Sequence, residues 1–167
     1  MEDSFCIAEV NAMDAGRLTG VLRQCVAVDR WARELADGRP YADRDDLLAR
    51  ADELTASLTD EEIRHALDDH PRIGERAAAG SATAAMSASE QSGVDSAALA
   101  DRLLAANAAY EDRFGHIYLV CASGRDGADL LADLAGRMGN DPVAELSVVR
   151  MELGKIARLR LERIVTA

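Results

Sequence analysis

From Asp141 to Ile164 the chain carries one uninterrupted amphipathic pattern, and this long helix constrains the fold more than any other feature. Asp141 followed by Pro142 is a helix start, since Asp caps exposed N–H groups and proline suits the first turn. At 100° per residue, Leu146, Val149, Leu153, Ile156 and Ile164 form one apolar stripe, which requires a matching apolar surface from the rest of the chain. That surface is also helical in pattern. Ala15 to Val28 places Leu18, Val21, Leu22 and Cys25 on one face, Asp29 to Leu35 surrounds the single tryptophan Trp31, and Asp45 to Leu58 turns Leu47, Leu48, Ala51 and Leu54 inward. Gly38, Arg39, Pro40 and Tyr41 break the chain between the last two. Thr59 with Glu62 three residues on is a capping box for a helix through Leu67, which should end near His70 because Pro71 disfavours helical geometry before it.

Residues 74–93 have no apolar stripe and read as a mobile connection closing into a short helix, with residues 74–86 a candidate lid. Val94 to Phe114 is again helical and meets Gly115 as a C-cap. Ile117 to Ala122 is the strongly strand-like run. With no second strand to pair it, it is expected as an extended stretch threaded through a helical core. Ala128 to Met138 forms a helix ending at Gly139. The pattern predicts an all-α, single-domain helical bundle over residues 1–167, with one extended segment near 117–122 and no internal repeat.

Charge and composition exclude several classes of function. The chain of 167 residues has 19 Lys and Arg against 30 Asp and Glu, a formal charge of −11, which repels phosphate backbones and anionic headgroups. No nucleic-acid or membrane role is expected. No apolar run approaches the roughly 18 residues of a membrane span, and Met1 opens onto acidic residues instead of a basic leader. Val165-Thr166-Ala167 differs from an SKL-type peroxisomal address, so a cytoplasmic location is expected. Cys6, Cys25 and Cys121 form no close pair and read as small hydrophobes. Lys155 is the only lysine and lies in a helical pattern without a glycine-rich phosphate loop, which argues against pyridoxal phosphate chemistry.

Three places break the pattern. Arg160 falls within about 40° of every member of the apolar stripe, where a leucine would be ordinary. It either buries its stem and pairs locally, or clamps an anion or carbonyl at the floor of a pocket. His70, at a helix end before a rigid proline, is either a dipole-stabilised surface residue beside Asp68 and Asp69 or a proton-transfer group facing a cleft. Ser87 with Glu90 reads as a capping box, which leaves the Gln91 amide over. No metal site is expected, because His65 and His70 do not stack on one helical face and His116 is distant in sequence.

In order along the chain, His70-Pro71-Arg72-Ile73-Gly74, Ser87 with Glu90-Gln91, Tyr110 with Arg113-Phe114-Gly115-His116, Tyr118 to Ala122, Gly124-Arg125, and Lys155-Ile156 with Leu159-Arg160-Leu161 resemble the OHCU decarboxylases. These are the 2-oxo-4-hydroxy-4-carboxy-5-ureidoimidazoline decarboxylases of urate breakdown. The resemblance extends over most of the chain and weakens around Trp31 and Pro40. It implies an all-helical, usually dimeric enzyme without a cofactor that converts OHCU to (S)-allantoin. It further implies His70 as the catalytic histidine, with Glu90 and Arg160 as catalytic partners. Pro71, Ser87, Glu90, Gln91 and the backbone of Tyr118, Leu119, Val120, Cys121 and Ala122 would bind substrate. Arg72-Ile73 and His116 depart from the family's usual residues, and the second departure changes the pocket wall. Two other readings fit the same residues: a helical ligand-binding or regulatory module, and a structural adaptor in which His70, Glu90 and Arg160 lie apart.

Overall fold

Acidic and hydroxyl side chains at helix starts set most of the element boundaries. Five helices begin on a side-chain cap: Asp14 before α2 (Ala15–Leu22), Asp43 before α4 (Arg44–Ala56), Thr59 before α5 (Asp60–Asp68), Asp126 before α7 (Gly127–Arg137) and Asp141 before α8 (Pro142–Ile164). The Thr59 box is reciprocal, with Glu62 N–H donating to Thr59 Oγ1 at 3.2 Å and Thr59 N–H to Glu62 Oε2 at 2.9 Å. Part of the chain's large acidic content is therefore placed against the positive ends of helix dipoles. The remaining helices are α1 (Ile7–Ala12), α3 (Asp29–Asp37) and α6 (Ala97–Phe114). The structure, a computed structural model, describes residues 4–73 and 97–166. The expected connection over 74–93, the candidate lid, Ser87, Glu90 and Gln91 lie outside the described residues.

The long helix α8 packs against α4 and touches α5, while α2 packs on α3, α3 on α4, and α6 on α7. Buried side chains form two cores. The larger holds Trp31, Leu35, Leu47, Ile63, Leu153 and Leu161 among others, and the smaller gathers Ile73, Leu103, Tyr110, Leu130 and Leu134. Gly127 permits the close approach of α7 to α6, because a Cβ there would lie 1.9 Å from Leu99 Cδ2. No described helix is long and apolar enough to cross a membrane.

Residues 117–122 bridge the two cores. Gly115, at φ 74°, ends α6 and turns the chain into them. Ile117, Leu119 and Cys121 pack toward the larger core, whereas Tyr118, Val120 and Ala122 belong to the smaller. This two-residue alternation is that of extended backbone. As expected, the segment is neither helix nor paired strand, and both of its faces are buried.

The structure differs from the sequence reading in three places. A parallel pair of two-residue strands, β1 (Phe5–Cys6) and β2 (Val165–Thr166), ties the chain's first described residues to the end of α8. Such short pairing has no sequence period to reveal it. The helix α1 was not expected either; its start is closed by Glu9, whose carboxylate accepts from Cys6 N–H at 2.8 Å. Lastly, the helix expected over Ala15 to Val28 stops at Leu22, where the Gln24 and Cys25 N–H groups bond carbonyls three residues back, at 3.1 and 2.9 Å, and close the helix in tighter turns; beyond it the Cys25 carbonyl accepts from Arg160 Nη1 at 3.0 Å. No cysteine is in a disulfide; Cys25 is buried and Cys6 and Cys121 are partly so.

Arg30 clamps α3 to α5 through both Glu62 oxygens, at 2.7 and 2.8 Å. The Arg30 bond, opposed by partial burial and aided by Thr59, holds the Glu62 carboxyl down at about 2. A lowered folded value means the contribution is present above the ordinary carboxylate range and is lost as pH falls toward the folded value. The melting temperature of Glu62→Gln should therefore lie below wild type near neutrality, and the gap should close between about pH 5 and about pH 2. A gap independent of pH would show that the ion pair does not carry the difference.

Candidate active site

His70 follows the last turn of α5, where its N–H bonds the Leu67 carbonyl at 3.1 Å. Its ring turns back so that Nδ1 lies 2.8 Å from the Ala66 carbonyl. A carbonyl only accepts, so Nδ1 is the nitrogen that carries the proton. In the neutral ring Nε2 then presents its lone pair, and it faces Arg160 Nη1 at 3.4 Å. The guanidinium only donates, which agrees with the same tautomer.

Arg160 is fully buried within the stripe of α8, and its Nη1 also reaches the Cys25 carbonyl. Arg160 thus meets His70 although the two residues lie 90 positions apart in sequence. His70 is itself buried, with 9% of its surface exposed. A cavity of about 650 Å³ opens beside it, walled by Arg64, Asp68, Arg72, Glu111 and His116 among others.

Two side chains of α6, one turn apart, hold the segment that follows His70. Glu111 accepts from Arg72, at 2.8 Å from Nη2, and Asn107 Nδ2 donates to the Ile73 carbonyl at 3.0 Å. The two departures from the family pattern thus have local roles. Arg72 is an ion-pair partner in the cavity wall, and His116 lies in the same wall, its ring 6.1 Å from that of Phe114.

Of the backbone positions expected to bind substrate, Tyr118, Leu119, Val120 and Ala122 are buried and Cys121 is partly exposed. Two of their peptide groups bond protein side chains: Leu119 C=O accepts from Arg137 Nη1 and Cys121 N–H donates to Glu152 Oε2, both at 2.8 Å. The Ala122 carbonyl accepts from Arg125 N–H in the turn that follows. Pro71 is partly exposed between His70 and Arg72.

Sequence reasoning missed the buried polar residues Asn107, Arg137, Glu145 and Glu152. Glu145 and Glu152 are seven residues apart at the edge of the α8 stripe, about 60° and 80° round the helix from Arg160, so the argument that singled out Arg160 does not reach them. Arg137 Nε bonds Glu145 at 2.8 Å, and Tyr110 and Asn140 donate to the same carboxylate. Burial would lower the basicity of Arg137, but Glu145 reverses the effect and leaves it raised. Burial, reinforced by Glu145 and Asp133 respectively, pushes the Tyr110 and Tyr118 phenols well above their usual value, so both stay neutral donors. Lys155, the single lysine, pairs with Glu152. Among the described residues, no three His, Cys, Asp or Glu side chains gather as a metal site would require.

An imidazole fixed in one tautomer against a buried guanidinium, beside a polar cavity, is a site able to move a proton on a bound anion. The comparisons with known proteins agree with an enzyme of this kind. The profile of the OHCU decarboxylase family matches residues 11–162. The 2-oxo-4-hydroxy-4-carboxy-5-ureidoimidazoline decarboxylase of Amia calva is 32% identical over 149 residues, covering 87% of this chain and 83% of that protein. The uric acid degradation bifunctional protein TTL of Arabidopsis thaliana is 30% identical over 145 residues. That match covers 84% of this chain but 45% of the plant protein, so the chain spans under half of that relative's length. A crystal structure of OHCU decarboxylase in the presence of (S)-allantoin superimposes with a TM-score of 0.74 at 27% identity, covering 86% of this chain and 96% of that one. An (S)-allantoin synthase shares the fold, with a TM-score of 0.73 at 17% identity, over 96% of this chain and 54% of its own. The chain belongs to the OHCU decarboxylase family.

The tautomer is open to direct observation. Nitrogen-15 NMR of the neutral His70 ring should show a protonated Nδ1 and an unprotonated Nε2. The opposite assignment would contradict the Ala66 contact.

Proposed function

We propose that this chain decarboxylates OHCU to (S)-allantoin in urate degradation, with His70 and Arg160 at the centre of the site. The observation that carries this reading is the 3.4 Å approach of Arg160 Nη1 to His70 Nε2, which joins two expected site residues from opposite ends of the fold. The adaptor reading has His70, Glu90 and Arg160 lie apart, and the meeting of His70 with Arg160 weighs against it.

The substrate's chemistry limits what the protein must supply. OHCU bears a carboxylate and a hydroxyl on one ring carbon next to a C=N bond. When the bond to the carboxylate breaks, its electron pair forms a C=C bond between the two ring carbons, and the C=N pair takes a proton at nitrogen. Carbon dioxide leaves and an enol remains. The enol O–H then gives up its proton as the neighbouring ring carbon receives one on a single face, generating the carbonyl and the stereocentre of (S)-allantoin. Because the imine is the electron sink, the protein's tasks are orientation and proton transfer.

His70 has Nε2 as the nitrogen for that exchange, since Nδ1 is engaged by Ala66. Arg160 is assigned to hold a carboxylate or carbonyl oxygen of the substrate beside it. Glu90, Gln91 and Ser87 are assigned to the ring and ureido groups together with Pro71 and the backbone of Tyr118 to Ala122. The same reading takes residues 1–167 as one domain, acting as a cytoplasmic homodimer.

The test is the rate of loss of freshly generated OHCU with wild type and with His70→Ala. Wild type should accelerate it, and the variant should lose about 10²- to 10⁴-fold of that acceleration while its circular dichroism spectrum is unchanged. Turnover by His70→Ala near the wild-type rate would remove the role assigned to the histidine. Binding of (S)-allantoin by a wild type that does not turn OHCU over would favour the ligand-binding module.

A further inference from the structure

Apart from the His70–Arg160 pair, the densest buried polar chemistry surrounds the extended segment. Arg137 from α7 bonds the Leu119 carbonyl and Glu152 from α8 bonds the Cys121 N–H, each at 2.8 Å. In extended backbone, the peptide groups of alternate residues point to the same edge, and those of the residue between point to the other. Both bonds therefore lie on one edge, flanking Val120. They occupy the positions that a neighbouring strand would fill.

Arg137 and Glu152 are only 6% and 5% exposed, and each is itself held. Glu145 orients Arg137, with Tyr110 and Asn140 on the same carboxylate, and Lys155 pairs with Glu152. The opposite edge is different. Val120 is 3% exposed, yet no described residue bonds its N–H or its C=O. Buried peptide groups are nearly always bonded, so a donor and an acceptor side by side on this edge call for a partner.

We propose that Arg137 and Glu152 are positioning residues that pin the Leu119 and Cys121 edge, and so present the Val120 N–H and C=O to the ring and ureido amide groups of the substrate. The substrate then docks as an added strand would, by paired main-chain bonds. The inference rests on the decarboxylase reading for the identity of the ligand. Its residues lie outside the proton-transfer pair, so it predicts an effect on binding and not on the chemical step. Hydrogen bonds made equally in the ground and transition states change KM and leave kcat alone.

The experiment compares steady-state kinetics on fresh OHCU for wild type, Glu152→Leu, Glu152→Gln and Arg137→Lys, with melting temperatures alongside. Glu152→Leu removes the acceptor for Cys121 N–H and should raise KM roughly tenfold with kcat within about twofold of wild type. Glu152→Gln keeps an oxygen acceptor and should restore KM to near the wild-type value. Arg137→Lys keeps the charge opposite Glu145 but loses the fork that spans Glu145 and Leu119, so it should also raise KM. If Glu152→Leu does not fold, the Arg137→Lys and Glu152→Gln pair decides the matter by the same split. Folded Arg137→Lys or Glu152→Leu with wild-type KM would overturn the positioning role while leaving the decarboxylase reading intact. A lowered melting temperature with unchanged KM would mark both residues as structural only. Absence of turnover by wild type would overturn the decarboxylase reading first, and this inference with it.

Discussion

A run of extended backbone buried on both faces, with no strand beside it among the described residues, leaves peptide groups that must be bonded some other way. Residues 117–122 are such a run, and much of the molecule's buried polar structure answers to them. Arg137 and Glu152 supply bonds that a sheet would have supplied. Their own burial brings in Glu145 and, at the rim, Lys155. Tyr110, Asn140 and Tyr118 complete the arrangement, the last by donating to Asp133 at 2.6 Å. The segment separates two cores, and the charges around it are placed by the backbone geometry of a strand.

Arg160 follows the same logic at the other side of the larger core. Its guanidinium takes a carbonyl, that of Cys25, in the turn that follows α2. The same guanidinium meets His70, whose other ring nitrogen is fixed by Ala66. The turn after α2, the end of α5 and the last turns of α8 are thus joined through one side chain. The Ala66 carbonyl and the Arg160 guanidinium favour the same tautomer and hold the imidazole in one direction before any substrate arrives, which is the condition for efficient proton transfer.

The helical framework was legible in the sequence because caps and the 3.6-residue period are local signals. Thr59 with Glu62, Asp141 with Pro142 and the stop at Gly115 all stand where the pattern put them. The unpaired extended segment was legible as well, from a strand-like run with nothing to pair it. What escaped depends on contacts distant in sequence. The Arg160–Cys25 bond joins residues 135 positions apart, and the β1–β2 pair joins residues about 160 apart. Within the site, Arg160 stood out as a cation in an apolar stripe. Glu145 and Glu152, at the edge of the same stripe, did not, because an exposed carboxylate is the ordinary expectation for a Glu in a chain of net charge −11.

The central claim is that this chain controls both the loss of carbon dioxide and the face on which the new stereocentre is protonated. The most direct measurement is the circular dichroism of the allantoin formed when wild-type protein acts on freshly generated OHCU, read before spontaneous decay contributes. A single (S) enantiomer is predicted, since the proton is delivered from one fixed group. Racemic allantoin formed no faster than in buffer would contradict the account.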